Sequence, residues 1–351
     1  MSILLAVHNA EREIESKIRN CLELEYPHGK LQVVIVSDAS TDATPEILAR
    51  WAAKITFKCL RERKGKNHAL NRGLELCTSD LIFFTDVGAS FERSSIRKLA
   101  RHFSDSSIGC ASSFIRTNVS DTAGSKRWKS GEDLQLGFDL RLRLWESEVY
   151  STVNAVGAGF LVRRELVPNF PSYHANDFGC ALNVVNSGYR VIVDPNAGAH
   201  MAFTTSRDGE LQRKVRTALR GMWTLVENLS LRLLTRPFLL WQIVSRKAAR
   251  WLFGYFYATA IVFGLLTPIL AARTISSLML FAVGIGFIAS IRPSLTEMKV
   301  FRYCSFLWIA IEGSLVAVGL FALRKKYSIW SPTNRDVLEP VKSMDGDRAA
   351  G

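Results

Sequence analysis

The sequence has few of the residues from which zinc sites and disulfide frameworks are built. Its six cysteines are scattered, without a Cys-x-x-Cys pair or a His/Cys cluster of zinc spacing. They are Cys21, Cys59, Cys77, Cys110, Cys180 and Cys304. This scatter argues against a metal- or disulfide-built fold and indicates reduced, buried thiols in a domain that faces the cytosol.

Targeting and repeat signals are also missing. No charged region precedes the apolar start and no small-residue cleavage site follows it, so we expect no signal peptide. Internal repeats and low-complexity linkers are absent from the sequence. The 351 residues suffice for one large domain or two small ones with a buried core.

Acidic residues are fewer than basic ones, and the formal net charge is +13. A basic balance of this size suits anionic partners such as nucleic acid, phospholipid or a nucleotide-sugar. The lysines and arginines are dispersed and match no nucleic-acid-binding module, so we expect no nucleic-acid partner. Long hydrophobic segments favour membrane lipid as a partner, and a solvated basic surface is the alternative.

The first part of the chain alternates strands and helices with short connections, which predicts a doubly wound, mostly parallel α/β sheet covered by helices on both faces. We expect strands at Ser2–Val7, Leu31–Val36, Ile55–Leu60 and Leu81–Thr85. Helices are predicted at Glu11–Leu24, from Thr44-Pro45 onward with Thr44 as N-cap, and at Asn67–Cys77.

Beyond residue 232 the sequence predicts a membrane region. Residues 233–250 are typical of an interfacial amphipathic helix, residues 251–326 contain two or three hydrophobic helices, and residues 327–351 form a tail. The apolar runs are Trp251–Ala272, Ile275–Ile291 and Tyr303–Leu323. The last is predicted to be re-entrant or interfacial, with Glu312 facing protein or water.

Orientation in the membrane is predicted from the basic residues that precede the first apolar run. Arg246, Lys247 and Arg250 put the catalytic domain in the cytosol by the positive-inside rule. Together with the apolar runs, this predicts a multi-pass protein of the inner membrane.

Five short signals lie along residues 1–232, and they would meet where ligands bind in open α/β sheets, at the carboxyl ends of strands. They are Val7-His8-Asn9-Ala10-Glu11, Val34-Ile35-Val36-Ser37-Asp38, Gly65-Lys66, Phe83-Phe84-Thr85-Asp86 and Asn176-Asp177-Phe178. Their order and spacing resemble the family 2 glycosyltransferases of the GT-A fold. The resemblance implies transfer of a sugar from a nucleoside-diphosphate sugar, with inversion at the anomeric carbon.

In that family the residues matching His8, Glu11, Asp38 and Lys66 bind the nucleotide. The resemblance implies that Asp38 accepts a hydrogen bond from the base, which suggests a UDP-sugar, and that His8 packs on the base. Asp38 as a capping residue and Glu11 as an ordinary first-turn acid are the alternatives. A helix beginning after Gly65, with cations nearby, also attracts diphosphate.

The family places a metal-binding Asp-x-Asp where this chain has Asp86-Val87-Gly88. Asp86 would hold Mg²⁺ or Mn²⁺ against the phosphates, and we expect weak binding because Gly88 supplies no second carboxylate. A structural strand-end role for Asp86 is the alternative, with basic residues stabilising the leaving group.

Asp177 matches the family's general base, which takes the proton of the acceptor hydroxyl. Asn176 replaces a first acid of the family pattern, and the alternative is an N-cap Asn176 followed by an Asp177 that the helix dipole favours. Gly157, Ala158 and Gly159 resemble the segment that lets the acceptor approach the donor sugar, or they form a simple turn before a strand.

Arg213 and Arg216 match the arginines of the family's Q/R-x-x-R-W motif and would grip the diphosphate, or else lie on anionic lipid. Thr217 replaces the tryptophan, which disfavours a processive polysaccharide synthase. A catalytically inactive nucleotide-sugar-binding subunit is the other alternative. The sequence as a whole predicts a membrane-anchored glycosyltransferase acting on a membrane-associated glycan or polyprenyl-linked acceptor.

Overall fold

A computed structural model describes residues 1–116, 132–201 and 207–329 of the chain. In these residues eight strands form one sheet, in the order β3-β2-β1-β4-β7-β6-β8-β5. The strands are β1 (Ser2–Val7), β2 (Gln32–Ser37), β3 (Thr56–Cys59), β4 (Leu81–Thr85), β5 (Ala89–Phe91), β6 (Ile108–Ile115), β7 (Gly159–Arg163) and β8 (Arg190–Met201).

Helices cover the sheet and continue into the C-terminal region. The first six are α1 (Ile14–Leu22), α2 (Thr44–Arg50), α3 (Lys66–Leu74), α4 (Ser95–Arg101), α5 (Glu132–Val149) and α6 (Asn176–Asn186). The others are α7 (Arg207–Asn228), α8 (Leu231–Leu234), α9 (Pro237–Ile243), α10 (Ala249–Trp251), α11 (Phe253–Leu266), α12 (Leu270–Ile291) and α13 (Lys299–Ala322). A π-helical turn, Val244–Ala248, joins α9 to α10.

The predicted sheet with both faces covered is confirmed. Strands β3, β2, β1 and β4 are parallel neighbours, and every residue of β1 is buried. Alternate side chains enter two hydrophobic clusters, so that Phe83 packs in one and Phe84 in the other. A strand buried on both faces is apolar throughout, which is why unbroken runs predicted these strands.

The other half of the sheet is mixed. Strand β7 is antiparallel to β4 and β6, β5 is antiparallel to β8, and β6 and β8 are parallel. Since β7 is antiparallel to β4, it starts where β4 ends, and Gly159 pairs with Thr85. The turn before β7 therefore lies beside Asp86, at the carboxyl edge of the parallel strands.

Two of the described helices, α12 and α13, are long and apolar enough to cross a membrane. The apolar run Trp251–Ala272 does not form one helix, because α11 ends at Leu266 and the chain is extended at Thr267. Alone, the 14 residues of α11 are about 21 Å long, less than the roughly 30 Å of a bilayer core. The preceding stretch Pro237–Trp251, here called the membrane-entry segment, meets α11 at a bend of 69°.

Helix α13 packs along α7 rather than standing apart from the sheet domain. Lys214 lies 4.6 Å from the ring centroid of Phe306, and Trp223 and Phe321 are 4.7 Å apart. After α13 the chain stays on the domain, where the indole N–H of Trp223 donates to the carbonyl of Lys325 at 2.9 Å. Half-buried Glu312 thus lies on a helix that contacts protein along much of its length.

Candidate active site

The carboxyl ends of β1 and β2 carry strained backbone. Asn9 and Ala39 have φ angles of 50° and 54°, a left-handed conformation unusual for residues with a side chain. The side-chain oxygen of Asn9 accepts from the backbone N–H of Thr41 at 2.9 Å and so ties the two loops together. Strain of this kind clusters at functional sites, and here it marks the edge where the predicted nucleotide residues lie.

Asp38 holds the glycine-lysine loop in place. Its carboxylate, 3% exposed as a residue, accepts from the backbone N–H groups of Lys64 at 3.0 Å and Gly65 at 2.8 Å. His8 donates from Nδ1 to the carbonyl of Asp38 at 2.8 Å. The three predicted residues His8, Asp38 and Lys66 are therefore brought together by local contacts.

Lys66 is the first residue of α3, and Nζ of Lys66 lies 2.5 Å from the Asp86 carboxylate. The side chains of Lys66 and Asp86 are 19% and 29% exposed, so this ion pair is partly buried and partly solvated. Lys66 and Asp86 meet because α3 begins, and β4 ends, at the same edge of the sheet.

Lys17 lies beneath this pair and was not singled out by sequence. It is 2% exposed and donates to Oγ1 of Thr85 at 2.9 Å and to the carbonyl of Ala89 at 2.6 Å. Burial lowers the pKa of Lys17, and Cys21 and Asp86 offset part of the shift. The available signal was a lysine among the apolar positions of the first helix.

A continuous set of contacts leads from Asp86 to Asp177. Oγ1 of Thr85 donates to the carbonyl of Ala158 at 3.0 Å. A Cβ placed on Gly157 would lie 3.1 Å from Oδ2 of Asp177, so the absence of a side chain lets this carboxylate approach. Ala158 is buried, and a Cβ on Gly159 would collide with the ring of Phe91, so Gly159 also serves packing.

Asp177 lies in the first turn of α6 and is half-buried. Its Oδ1 accepts from the backbone N–H of Phe178 at 2.8 Å. The capping alternative for Asn176 is wrong, because Ala175 occupies the N-cap position and no side chain caps the helix. Two cations interact electrostatically with Asp177, Arg220 of α7 and Lys247 of the membrane-entry segment. Sequence reasoning missed both.

Glu11 and Thr44 link the loop after β1 to the start of α2. Exposed Glu11 accepts from the backbone N–H of Ala43 at 3.1 Å. The predicted N-cap role of Thr44 is wrong, since Thr44 is the first residue of the helix and its hydroxyl accepts from the N–H of Ala10 at 2.9 Å. Nucleotide contact by Glu11 stays a prediction.

The arginines of α7 form a stripe. Arg213 binds Glu210 of its own helix at 2.9 Å, and half-buried Arg216 lies one turn further on. Arg220 continues the same face, because positions i, i+3 and i+7 of a helix align. The stripe aligns Arg213 and Arg216 with Arg220, which interacts electrostatically with Asp177, and its periodicity was the signal that could have identified Arg220.

The residues available for a divalent cation are few. Within residues 1–116, 132–201 and 207–329, no group of three His, Cys, Asp or Glu side chains could hold a metal. Asp86 is paired with Lys66, and Gly88 adds no carboxylate. In this part of the chain, the side chains therefore do not form a metal site by themselves.

Comparison with a solved structure identifies the fold. A mannosyltransferase from Pyrobaculum calidifontis, solved with GDP-Man and Mn²⁺, matches the fold with a TM-score of 0.65 and 24% identity, over 92% of this chain and 86% of that one. The predicted GT-A fold is confirmed.

Two sequence relatives each match a part of this chain. A beta-monoglucosyldiacylglycerol synthase from a Nostoc species is 28% identical over 170 residues, 47% of this chain and 36% of that protein. A poly-beta-1,6-N-acetyl-D-glucosamine synthase from Staphylococcus aureus is 32% identical over 89 residues, 25% of this chain and 21% of that protein. The matches thus span about a third or less of these relatives' lengths.

The family follows from the match to a sequence model. Residues 2–169 match the model of glycosyl transferase family 2. With the GT-A sheet and the ordered strand-end motifs, this shows that residues 2–169 form a family 2 glycosyltransferase domain, as its motifs predicted.

Proposed function

We propose that the protein is an inverting glycosyltransferase that moves a sugar from a nucleoside-diphosphate sugar to a membrane-associated acceptor. The observation that carries this proposal is the approach of Asp177 to Gly157, at the end of the contacts that begin at His8 and Asp38. A carboxylate is thereby held next to a backbone without side chains, where an acceptor hydroxyl has room.

The nucleotide would lie over the ends of β1 and β2. In this proposal Asp38 accepts from the base, His8 packs on it and Glu11 borders it. Lys66 lies at the N-terminus of α3, which favours a diphosphate. Arg213 and Arg216 would face the same diphosphate from α7. A UDP-sugar is the proposed donor, because a carboxylate suits the imide N–H of uracil.

The chemical step requires a base and stabilisation of the leaving group. Asp177 takes the proton of the acceptor hydroxyl as its oxygen attacks the anomeric carbon. The bond from that carbon to the diphosphate breaks on the opposite side, which inverts the configuration. Lys66 and the arginines offset the charge that develops on the departing nucleoside diphosphate.

Mg²⁺ or Mn²⁺ would be held weakly. The P. calidifontis neighbour was solved with Mn²⁺, which supports a cation in proteins of this fold. Here Asp86 is the proposed ligand, and the remaining oxygens would come from the donor phosphates and water.

The acceptor is proposed to be a glycan or a polyprenyl-linked molecule at the cytosolic face of the inner membrane. The apolar helices α12 and α13 support an anchored enzyme, and α13 packs on α7 beside the crevice. The names of the relatives include a glycolipid synthase and a polysaccharide synthase, which supports acceptors of either kind.

For each of two alternative functions, a specific substitution in the family motifs is informative. Thr217 in place of tryptophan disfavours a processive synthase. Gly88 and Asn176 in place of acids leave open an inactive nucleotide-sugar-binding subunit, and only a transfer assay separates it from an enzyme.

The test replaces Asp177 by asparagine and measures transfer in a membrane-reconstituted assay. Removal of a general base typically costs about 10²–10⁴ in rate, while size is preserved, so Asp177→Asn should fold and bind UDP normally but transfer at least about a hundredfold more slowly. Asp80→Asn, at an exposed position before β4, is the matched control and should transfer normally. Near-normal transfer by Asp177→Asn would remove the base assignment.

A further inference from the structure

Two cations from different elements flank Asp177. Arg220 projects from α7, and Lys247 belongs to the π-helical turn of the membrane-entry segment. Both interact electrostatically with Asp177, yet within the described parts of the chain neither forms an ion pair with a carboxylate. A π-turn inside a helix is itself frequent at functional sites.

The hydrogen-bond partners of these cations are neutral groups. Arg220 donates from one terminal nitrogen to the carbonyl of Ser172 at 2.5 Å, and its buried Nε has no partner among the described residues. Nζ of Lys247 donates to Oδ1 of Asn154 at 3.0 Å and lies 4.3 Å from the ring centroid of Phe178. Neutral contacts orient these charges without neutralising them.

The surroundings hold more positive charge than their acids neutralise. Asp139 already pairs with Arg143 at 2.5 Å and with Arg246 at 2.7 Å. Burial lowers the pKa of Lys247 to about 7, with further lowering by Arg250 and Arg143. A desolvated charge that forms no ion pair destabilises a protein, and an anionic ligand would relieve that cost.

We propose that Arg220 and Lys247 bind a phosphate group beside Asp177. Guanidinium and ammonium groups are the side chains that proteins use for phosphate, and the unpartnered Nε of Arg220 offers a further donor. The inference rests on the proposed function, in which two reactants carry phosphate: the donor through its diphosphate and a lipid-linked acceptor through its own phosphate.

The membrane-entry segment gives this site access to lipid. On the same segment Trp241 and Val244 are 59% and 54% exposed, while Lys247 faces the domain. One face can therefore lie in the interface while the other reaches the crevice, across a helix about 10 Å wide. A phosphate at the lipid surface would lie within reach of Lys247, next to the proposed base.

The test measures binding to the full chain in detergent micelles by calorimetry, with UDP and a short polyprenyl phosphate as probes. Lys247→Met and Arg220→Met remove each charge at similar length, and Lys54→Met, in the exposed turn after α2, is the control. Since a hydrogen bond to a charged group contributes about 1.5–3 kcal/mol, each variant should weaken one probe roughly 10- to 100-fold. The control should bind both probes normally.

The two probes distinguish the sources of the phosphate. Selective loss of polyprenyl phosphate binding assigns the site to the acceptor, and selective loss of UDP binding assigns it to the donor. Wild-type affinity of both variants for both probes would overturn the proposal. Thermal melts at pH 6 test whether the variants fold. Lys247→Met should melt no lower than wild type, because it removes a desolvated ammonium group that forms no ion pair.

Phosphate binding can be measured without sugar transfer. The proposed function and this inference can therefore be refuted independently. Phosphate binding that depends on Arg220 and Lys247 without any sugar transfer would contradict the proposed function alone. Sugar transfer by variants that bind both probes normally would contradict this inference alone.

Discussion

At the scale of single residues, Gly65 shows how one position serves the loop that would hold a nucleotide. Its φ is 95°, a conformation that glycine adopts without strain. Its N–H donates to Asp38, and it precedes Lys66, which binds Asp86. A Cβ here would also collide with the carbonyl oxygen of Ser328, in the chain that follows α13.

Gly65→Ala should therefore lower stability and abolish most of the protection that UDP gives against heat. The left-handed conformation costs a residue with a Cβ about 1–2 kcal/mol, and the collision adds to it. Thermal shift with and without UDP measures both effects. Gly29→Ala is the matched control, because Gly29 has φ 72° with open space around it and should lose stability without losing UDP protection. Equal UDP protection in both variants would contradict the assignment of this loop.

Metal binding is predicted to depend on nucleotide, because Asp86 is a single carboxylate already paired with Lys66. Calorimetry should detect only weak Mn²⁺ binding without UDP and stronger binding with it. Asp86→Asn should remove the UDP-dependent increase, while Asp80→Asn should keep it. Tight Mn²⁺ binding by the nucleotide-free protein would show that other ligands exist.

At the scale of elements, the membrane-entry segment is attached to the domain through its cations. Arg246 forms ion pairs with Asp139 and Glu146 of α5, and its side chain is only 13% exposed. The positive-inside argument treated these residues as cytosolic surface charges. The structure instead turns Arg246 and Lys247 inward, so the segment is positioned by ion pairs and hydrogen bonds with the catalytic domain.

Arg246→Met should destabilise the protein strongly, because buried Glu146 would lose its ion pair and Asp139 would keep only its other arginine partners. Removing one member of a buried ion pair typically costs about 3–5 kcal/mol. Urea unfolding in detergent, followed by circular dichroism, measures the loss. Arg232→Met, an exposed cation on α8, should change stability by less than about 0.5 kcal/mol. Similar midpoints for the two variants would mean that the ion pairs contribute little.

At the scale of the whole molecule, the division predicted at residue 232 does not separate two packing units. Helix α13 covers α7, and Gly313 lies against Leu211 and Lys214 of that helix. The chain after α13 returns to the nucleotide loop at Gly65. Helix α13 and the chain after it therefore pack on the sheet domain besides forming part of the proposed membrane region.

A chain ending at residue 232 should consequently aggregate or melt without cooperativity, because the face of α7 under α13 becomes exposed. A chain ending at residue 329 keeps α13 and should melt cooperatively in detergent. Size-exclusion chromatography and thermal melts of the two chains provide the comparison. A soluble, cooperative protein ending at 232 would show that the sheet domain is independent.

Local sequence features predicted much of the fold and part of the site. Strands β1 and β4 lie where their apolar runs predicted, because burial on both faces requires unbroken hydrophobic sequence. Asp38 and Asp86 meet at one edge because parallel strands end there. Strands β5 and β6 were not predicted, since β5 has three residues and β6 contains serines and a glycine that break the apolar run.

The sequence by itself determined the alternation of strand and helix, the glycosyltransferase motifs and the apolar C-terminal helices, since each depends on neighbours a few residues apart. Only the tertiary structure decided that β7 runs antiparallel to β4, that Lys17 supports Thr85, and that Lys247 faces the domain. These contacts join residues 68 or more positions apart. Side-chain burial and charge pairing across such separations depend on how the elements pack, which local patterns do not encode.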